Sequence, residues 1–358
     1  MIHVVRSAKE RLRKILACLL FYSGALRLIH YLIDHCQCRT NSSGRAIFPY
    51  IKRRRSRNVQ ILVYHRVNDE ENAFFPAMRV ADFRKQMELI AEEYHPYSLE
   101  DAVESLETGA IPDNAVVVTF DDGYRDNFQN AFPILRQLGI PAIIFLATDV
   151  IGSGKCLWHD VVFSAFRTTA MSWLKDFPQQ GFTYSLKNDS DKLFVQRKVL
   201  DFLWSLSEDE REKRIDQLAD SLKVQRCDDE ALMLSWNEIR IMHEHGISFG
   251  SHTATHPILS TLPDVRLRSE IIESKRIIEE QLDSKVKAFA YPVGRPQDFD
   301  QRAKAVLKEH EYRCAVTTIF GVNNSLDDLF ELKRGTPWEP DLPSFAMKLA
   351  WYKFAQMQ

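Results

Sequence analysis

The stretch Thr119-Phe120-Asp121-Asp122-Gly123 decides how this chain of 358 residues is interpreted. It closes an apolar run, Ala115 to Val118, that predicts a buried strand. Two adjacent carboxylates at the end of such a strand repel each other, and a divalent cation relieves the repulsion by binding one and leaving the other as a base. Asp-Asp-Gly is also good turn chemistry, so this motif alone favours a polar turn.

A second motif favours a metal site over a simple turn. After the predicted strand that begins at Ile247, the chain carries His252 and His256, which would share one face of a helical turn and could both reach one metal. In alternating strand–helix folds, ligands gather at the carboxyl ends of the strands. One carboxylate and two imidazoles therefore predict a mononuclear metal site with open positions for water.

In this order, Thr-Phe-Asp-Asp-Gly and His-Thr-x-x-His resemble the motifs of the polysaccharide deacetylase family (NodB-like domain, carbohydrate esterase family 4). The likeness extends over residues 60–340 and includes Val63–Val67, Gly139–Phe145 and Phe289–Gly294. It implies an α/β fold, a distorted (β/α) barrel. It also implies hydrolysis of an N-acetyl group on an amino sugar of a polysaccharide or lipid-linked glycan.

The resemblance assigns roles residue by residue. Asp121 matches the general base, a metal-bound water is the nucleophile, and the metal ligands are Asp122, His252 and His256. Zinc is the first expectation for such a ligand set, and cobalt, nickel or iron suit similar ligands.

The chain departs from the family pattern in its third motif. Ala290 and Val293 stand where many members carry an arginine that orients the base and a tyrosine whose backbone N–H serves the oxyanion. The backbone N–H of Val293 remains a candidate oxyanion donor, because any residue except proline has one. Tyr291 and Arg295 are candidate substrate-binding residues, and Arg295 is also the only nearby candidate for the missing arginine.

The late histidine that the family uses as general acid is also missing. His65, at the end of the predicted strand Ile61–Tyr64, is the better candidate for the acid, and a purely structural histidine is an equal alternative. His159 is a weaker candidate.

Charge is segregated along the chain. Residues 1–60 carry 13 Lys/Arg and 2 Asp/Glu, whereas the remainder carries 34 and 47, for a net charge of −2. The charge-free apolar run Ile15 to Leu26 has 12 residues, fewer than the roughly 20 that a membrane span needs. Together these features predict a basic amphipathic helix in a membrane interface, with the basic residues 52–57 as a second tether.

Other interpretations of the amino-terminal part stay open: a helix packed on the barrel, a solvated linker for the basic cluster, or a single N-terminal membrane anchor. The six cysteines lack disulfide spacing, which favours a reducing compartment and hence the cytoplasmic face of the membrane. Nucleic acid is not an expected partner, since no aromatic residues interleave with the basic cluster.

The predicted organisation has four parts: a basic membrane-associating helix (1–40), a basic linker (41–59), a catalytic domain (60–340) and a C-terminal helix (341–358). Within the catalytic domain, residues 152–234 interrupt the barrel pattern and predict a helical insertion over the active-site face, with one charged helix at Asp201–Leu222. Ser235 to Glu238 form a capping box that restarts the barrel, and a further helix is expected at Asp264–Leu282.

Two further functions stay open on the sequence. The same barrel and ligands would suit a metal-dependent hydrolase of another non-peptide C–N bond, in a small cyclic amide or ureide. The missing arginine and acid would also fit a non-catalytic glycan-binding homologue.

Overall fold

The computed structural model describes residues 13–25, 58–226, 231–336, 339 and 341–354. The predictions for the basic residues 52–57, and for nearly all of the linker 41–59, fall outside the described residues.

Most strands of the described chain form one parallel sheet. In chain order the strands are β1 (Gln60–Tyr64), β2 (His95–Pro96), β3 (Ala115–Phe120), β4 (Ala142–Leu146), β5 (Trp173–Lys175), β6 (Thr183–Ser185), β7 (Ile247–Ser251), β8 (Ala288–Ala290), β9 (Cys314–Phe320) and β10 (Leu332–Arg334). The sheet order is β1-β3-β4-β7-β8-β9-β10, with β2 paired to β3, while β5 and β6 form a separate antiparallel pair.

Helices cover this sheet. They are α1 (residues 13–22), α2 (Val80–Glu93), α3 (Leu99–Thr108), α4 (Phe132–Leu138), α5 (Trp158–Thr168), α6 (Asp189–Trp204), α7 (Glu208–Leu222), α8 (Trp236–Glu244), α9 (Asp264–Leu282), α10 (Gln301–Glu309) and α11 (Leu342–Phe354). A short π-helical segment, Asn127–Ala131, leads into α4.

The sheet curls into a nearly closed barrel, as the sequence predicted. At the seam, the N–H of Val63 in β1 donates to the carbonyl of Gly335 just after β10 (3.0 Å), and the N–H of Gly335 donates to the carbonyl of Ile61 (2.7 Å). β10 was not predicted, because its three residues include two cations and show no apolar pattern.

Alternate strand residues face two apolar layers. In β3, Val116 and Val118 belong to the layer that packs under the helices, whereas Val117 faces the barrel interior with Ile61 and Phe145. Residues of α3 join the interior cluster together with the first residues of β3, β8 and β9, so α3 lies at the amino ends of the strands. The carboxyl ends are left for a functional site.

Between β4 and β7, the insertion builds a core of its own. Its buried cluster includes Trp158, Val162, Leu203 and Leu222. The single helix predicted at Asp201–Leu222 was wrong: α6 ends at Trp204 and α7 begins at Glu208. Ser207 and Glu210 form a capping box there, which starts a new helix.

The helix α1 packs one face on the barrel. Ala17 is fully buried, and Leu20 and Phe21 contact the main core. Among the described helices, none combines the length and the apolarity required to cross a bilayer.

Candidate metal centre and active site

Three side chains that the sequence predicted as metal ligands meet at the carboxyl ends of β3 and β7. Asp122 Oδ1 lies 3.5 Å from His252 Nε2 and 3.4 Å from His256 Nε2. Ligand atoms of all three residues lie within 4.8 Å of one another, and all three residues are buried. The arrangement is compact enough for one cation to contact all of them.

A backbone contact orients His252. Its Nδ1 lies 2.7 Å from the carbonyl oxygen of Ala290 at the end of β8. Because a carbonyl oxygen only accepts, Nδ1 carries the proton and Nε2 keeps its lone pair toward Asp122. Such a contact behind a ligating histidine is a common feature of metal sites.

The two histidines converge through a strained loop and not through the helical turn that the sequence predicted. Thr253 (φ 68°) and His256 (φ 59°) have left-handed backbone, as does Asp122 (φ 74°). Left-handed conformations are costly for residues with a Cβ and cluster at functional sites. The surrounding contacts must therefore hold this loop in place.

Glu270 in α9 supplies much of that support. The carboxylate is fully buried, and its Oε2 accepts hydrogen bonds from the N–H groups of Ala254 (2.8 Å) and Thr255 (2.9 Å). Arg266 forms an ion pair with the same carboxylate (2.8 Å). Sequence reasoning missed Glu270, because a glutamate within a long charged helix looks like a surface residue.

Asp121, the predicted base, is paired with an arginine that the sequence did not indicate. Arg334, on β10, donates from Nη1 to Oδ1 (2.8 Å) and from Nη2 to Oδ2 (2.7 Å) of Asp121. Arg334 itself is held by the carbonyl oxygen of Thr317 (2.7 Å) and the hydroxyl of Thr119 (3.1 Å). Arg334 therefore takes the place of the missing third-motif arginine, and Arg295 does not.

This pairing determines the charge of Asp121. Burial alone would raise the pKa of its carboxyl group, but the charge and hydrogen bonds of Arg334, together with the nearby His252 and His65, outweigh burial and lower the pKa to about 2. Asp121 is thus an oriented carboxylate at neutral pH.

Asp122 has the opposite environment. Burial and the charges of Asp121 and Asp160 raise its pKa well above the ordinary value, and its buried Oδ1 has no hydrogen-bond partner within the described residues. A divalent cation would supply both the missing partner and the missing positive charge. The three residues therefore fit a metal ion.

His65, the candidate acid, lies directly after β1. Its Nδ1 is buried without a hydrogen-bond partner in the described part of the chain. Burial lowers the pKa of His65, while the charge of Asp121 acts to raise it. The interaction with Asp121 places His65 beside the base, and its role as acid stays a prediction.

Val293, in the third motif, and Arg295, just after it, lie in different surroundings. Val293 has left-handed backbone (φ 60°), and its carbonyl oxygen accepts a hydrogen bond from Thr318 (2.7 Å). Its N–H makes no hydrogen bond within the described residues, so it stays a candidate donor to a ligand. Arg295 forms an ion pair with Asp298 (2.8 Å) and stacks on Trp204 of the insertion, at the junction of barrel and insertion.

Tyr291 requires a correction. Its side chain is only 1% exposed, its ring stacks on Phe299 with 4.0 Å between centroids, and its hydroxyl donates to the carbonyl of Phe330 (3.0 Å). The side chain is part of the core, so its prediction as a substrate-binding residue was wrong.

Comparison with known proteins gives the family. The model of the polysaccharide deacetylase family matches residues 108–315, more than half of the chain. The chain belongs to this family and is a hydrolase of the deacetylase class.

Individual relatives agree with this assignment. The chain is 22% identical to YxkH of Bacillus subtilis (strain 168), a protein named for the same family, over 287 residues, 80% of this chain and 73% of that one. It is 36% identical to the poly-β-1,6-N-acetyl-D-glucosamine N-deacetylase of Escherichia coli (strain K12) over 83 residues, 22% of this chain and only 12% of the relative.

Two solved structures share the fold. The deacetylase PplD of Streptococcus pyogenes, in complex with acetate, superposes with a TM-score of 0.55 at 19% identity, covering 82% of this chain and 98% of that one. IcaB of Ammonifex degensii superposes with a TM-score of 0.54 at 18% identity, covering 83% and 97%. At these identities the likeness concerns the fold alone.

Proposed function

We propose that this protein is a metal-dependent hydrolase that removes the N-acetyl group from an amino sugar in a polysaccharide or lipid-linked glycan. The observation that carries the proposal is the convergence of Asp122, His252 and His256 beside the Asp121–Arg334 pair. The relative that is named for poly-β-1,6-N-acetyl-D-glucosamine supports an N-acetylglucosamine polymer as the first substrate to test.

The chemistry divides among the residues of the site. A divalent cation held by Asp122, His252 and His256, with zinc as the first candidate, would lower the pKa of a water molecule and polarise the acetyl carbonyl. Asp121 accepts the proton of the attacking water, while its two hydrogen bonds from Arg334 fix the carboxylate in orientation.

Two further groups complete the reaction. The free N–H of Val293 donates to the carbonyl oxygen as negative charge develops on it. His65 donates a proton to the nitrogen of the leaving amino sugar, which turns a poor leaving group into a neutral amine.

The test is acetate release by purified protein, stripped of metal and then reloaded with zinc, from oligomers of β-1,6-linked N-acetylglucosamine and from lipid-linked N-acetylated sugars. We expect release only after metal loading. Asp121→Asn should lose turnover but still bind zinc, whereas His252→Ala should lose zinc. If no N-acetylated glycan released acetate under these conditions, the proposal would be abandoned.

Different results would favour the two alternative functions. Turnover of a cyclic amide or ureide with no turnover of glycans would favour the other class of C–N hydrolase. The glycan-binding alternative was motivated in part by the missing arginine. It is weakened now that Arg334 contacts the base.

We also propose that α1 contacts an anionic membrane surface. Ile15, Leu16, Leu19 and Tyr22 are 57%, 52%, 63% and 77% exposed. Helical periodicity places Ile15, Leu19 and Tyr22 on the face opposite to Ala17 and Leu16 at its side. Residues 1–60 carry 13 Lys/Arg against 2 Asp/Glu, which complements anionic lipid headgroups. The side of the membrane stays a prediction.

Co-sedimentation with vesicles tests this contact. We expect the full chain to bind phosphatidylglycerol vesicles more tightly than phosphatidylcholine vesicles, and Leu19→Ser with Tyr22→Ser to weaken that binding about tenfold, because two apolar side chains no longer insert. A matched control is Val265→Ser with Leu326→Ser, since these residues are 84% and 93% exposed elsewhere on the surface. Equal binding by both double variants would overturn the proposal.

A further inference from the structure

A tyrosine hydroxyl connects the metal centre to the insertion. Tyr124 follows the Asp-Asp-Gly motif and is buried. Its hydroxyl oxygen lies 3.0 and 3.1 Å from the two carboxylate oxygens of Asp160 and 3.1 Å from Nε2 of His159. His159 and Asp160 stand in the first turn of α5, so they belong to the insertion and not to the barrel.

The contacts of Tyr124 fix the protonation of the His159 ring. The hydroxyl has one proton, and the two oxygens of fully buried Asp160 both lie within hydrogen-bond distance of it, as expected of a carboxylate that accepts. Tyrosine hydroxyls keep their proton at neutral pH, so this proton is available to a carboxylate.

The single proton of Tyr124 goes to a carboxylate, that of Asp160 or that of Asp122, which also interacts with this hydroxyl. Its oxygen is left to accept from His159. Nε2 of His159 therefore carries the ring proton, and Nδ1 keeps a lone pair. In this tautomer His159 accepts a hydrogen bond at Nδ1.

The His159 ring lies beside the metal ligands without being one of them. Its centroid is 5.2 Å from that of His256, and the group of ligand atoms that could hold a cation does not include it. The side chain remains 15% exposed, and Nδ1 has no hydrogen-bond partner within the described residues. A hydrogen-bond acceptor of fixed orientation thus stands at the edge of the site.

We propose that His159 accepts, through Nδ1, a hydrogen bond from a hydroxyl or amide N–H group of the N-acetylated sugar, with Tyr124 and Asp160 as positioning residues. The insertion then supplies part of the substrate site instead of merely covering it. This inference rests on the proposed deacetylase function. It adds that His159 recognises a hydrogen-bond donor of the sugar, close to the acetyl group that is removed.

Two replacements of His159 provide the test, because each keeps a polar group at the position of one of the two ring nitrogens. The side-chain amide of Asn reaches the position of Nδ1, and that of Gln reaches the position of Nε2. We expect His159→Gln to weaken binding of β-1,6-linked N-acetylglucosamine oligomers about tenfold, the effect of one lost hydrogen bond, and His159→Asn to bind within a few-fold of the parent.

Binding is measured by calorimetry in zinc-loaded Asp121→Asn protein, so that the result does not depend on turnover. His310→Gln is the matched control, because the His310 ring is 30% exposed at the end of α10, where it lies beside the surface residues Arg268 and Glu309. The KM and kcat of the active protein are measured alongside, and the loss is expected in KM.

A second readout examines the tautomer directly. In full-length protein with ¹⁵N-labelled histidine, NMR should show His159 protonated at Nε2, and Tyr124→Phe should change that signal. A ring protonated at Nδ1, or equal affinity of the Gln and Asn variants, would overturn the inference while acetate release still upheld the deacetylase function. Oligomers that were neither bound nor cleaved would overturn both.

Discussion

At the scale of single residues, the site is built from pairs whose members lie far apart in the sequence. Asp121 and Arg334 are separated by 213 positions, yet they form two hydrogen bonds inside the barrel. A bidentate arginine–carboxylate pair is directional as well as strong, so it orients the base and also keeps it ionised.

Replacing Arg334 with Met should isolate this role. Asp121 would be left buried without its cation, so the pKa of its carboxyl group should rise and kcat should fall at least about 100-fold, the lower range for loss of general base catalysis. Breaking a buried ion pair should also cost about 3–5 kcal/mol of unfolding free energy, measured in urea. Zinc binding should persist, since the three ligands do not contact Arg334.

The control for that experiment is Arg276→Met. Arg276 forms ion pairs with Glu273 and Glu280 on the exposed face of α9 and should leave both activity and unfolding unchanged. Wild-type turnover in Arg334→Met would contradict the assigned role.

The sequence allowed the ligands to be predicted but not their supports. Asp121 with Asp122, and His252 with His256, stand in short contiguous motifs that follow predicted strands. Arg334 lies in a strand of only three residues, and Glu270 lies within a charged helix, so neither carries a local signal. Their roles arise from tertiary contacts, which periodicity does not encode.

At the scale of elements, the helix boundaries were most predictable where capping groups mark them. The Ser235–Glu238 capping box opens α8, and α9 has the predicted bounds, Asp264–Leu282. The hairpin β5–β6 was missed, because each strand has only three residues, too few for an alternating pattern to be recognised.

The strand β7 depends on a residue without a side chain. A Cβ at Gly250 would lie 2.6 Å from ring atoms of Phe145 and 2.9 Å from the carbonyl oxygen of Ala288. Gly250→Ala should therefore destabilise the protein by about 1–3 kcal/mol through overpacking. It should also weaken zinc binding, because His252 follows two residues later.

Ser248→Ala on the exposed position of the same strand is the control and should change neither property. Thermal unfolding and a zinc titration measure the two effects. Unchanged stability of Gly250→Ala would contradict this prediction, because it would mean that β7 and β8 can move apart to accept the added methyl group at little cost.

At the scale of the whole molecule, closure of the barrel and orientation of the proposed base depend on one strand. β10 completes the barrel through Gly335 and positions Arg334 at the base. The resemblance to the deacetylase family, carried by its motifs, implied a (β/α) barrel, but the seam was not predicted, because β10 has no apolar pattern.

A matched pair of core substitutions tests this coupling. Leu332 in β10 and Leu307 in α10 are both fully buried, so Leu332→Ala and Leu307→Ala should each cost about 2–5 kcal/mol of stability. Below the unfolding transition, only Leu332→Ala should also lower kcat, because it loosens the strand that carries Arg334. Equal loss of kcat in both variants would contradict the link between the seam and the base.

The distance between Asp121 and Arg334 has a further consequence during biosynthesis. A ribosome adds about 5–20 residues per second, so roughly 10–40 s pass between the synthesis of the base and that of its arginine. In the last part of that interval, once His256 has been added, the nascent chain contains both metal-binding motifs, yet the proposed base still has no partner. We therefore expect the enzyme to gain its activity only when the last strand of the barrel has left the ribosome and docked.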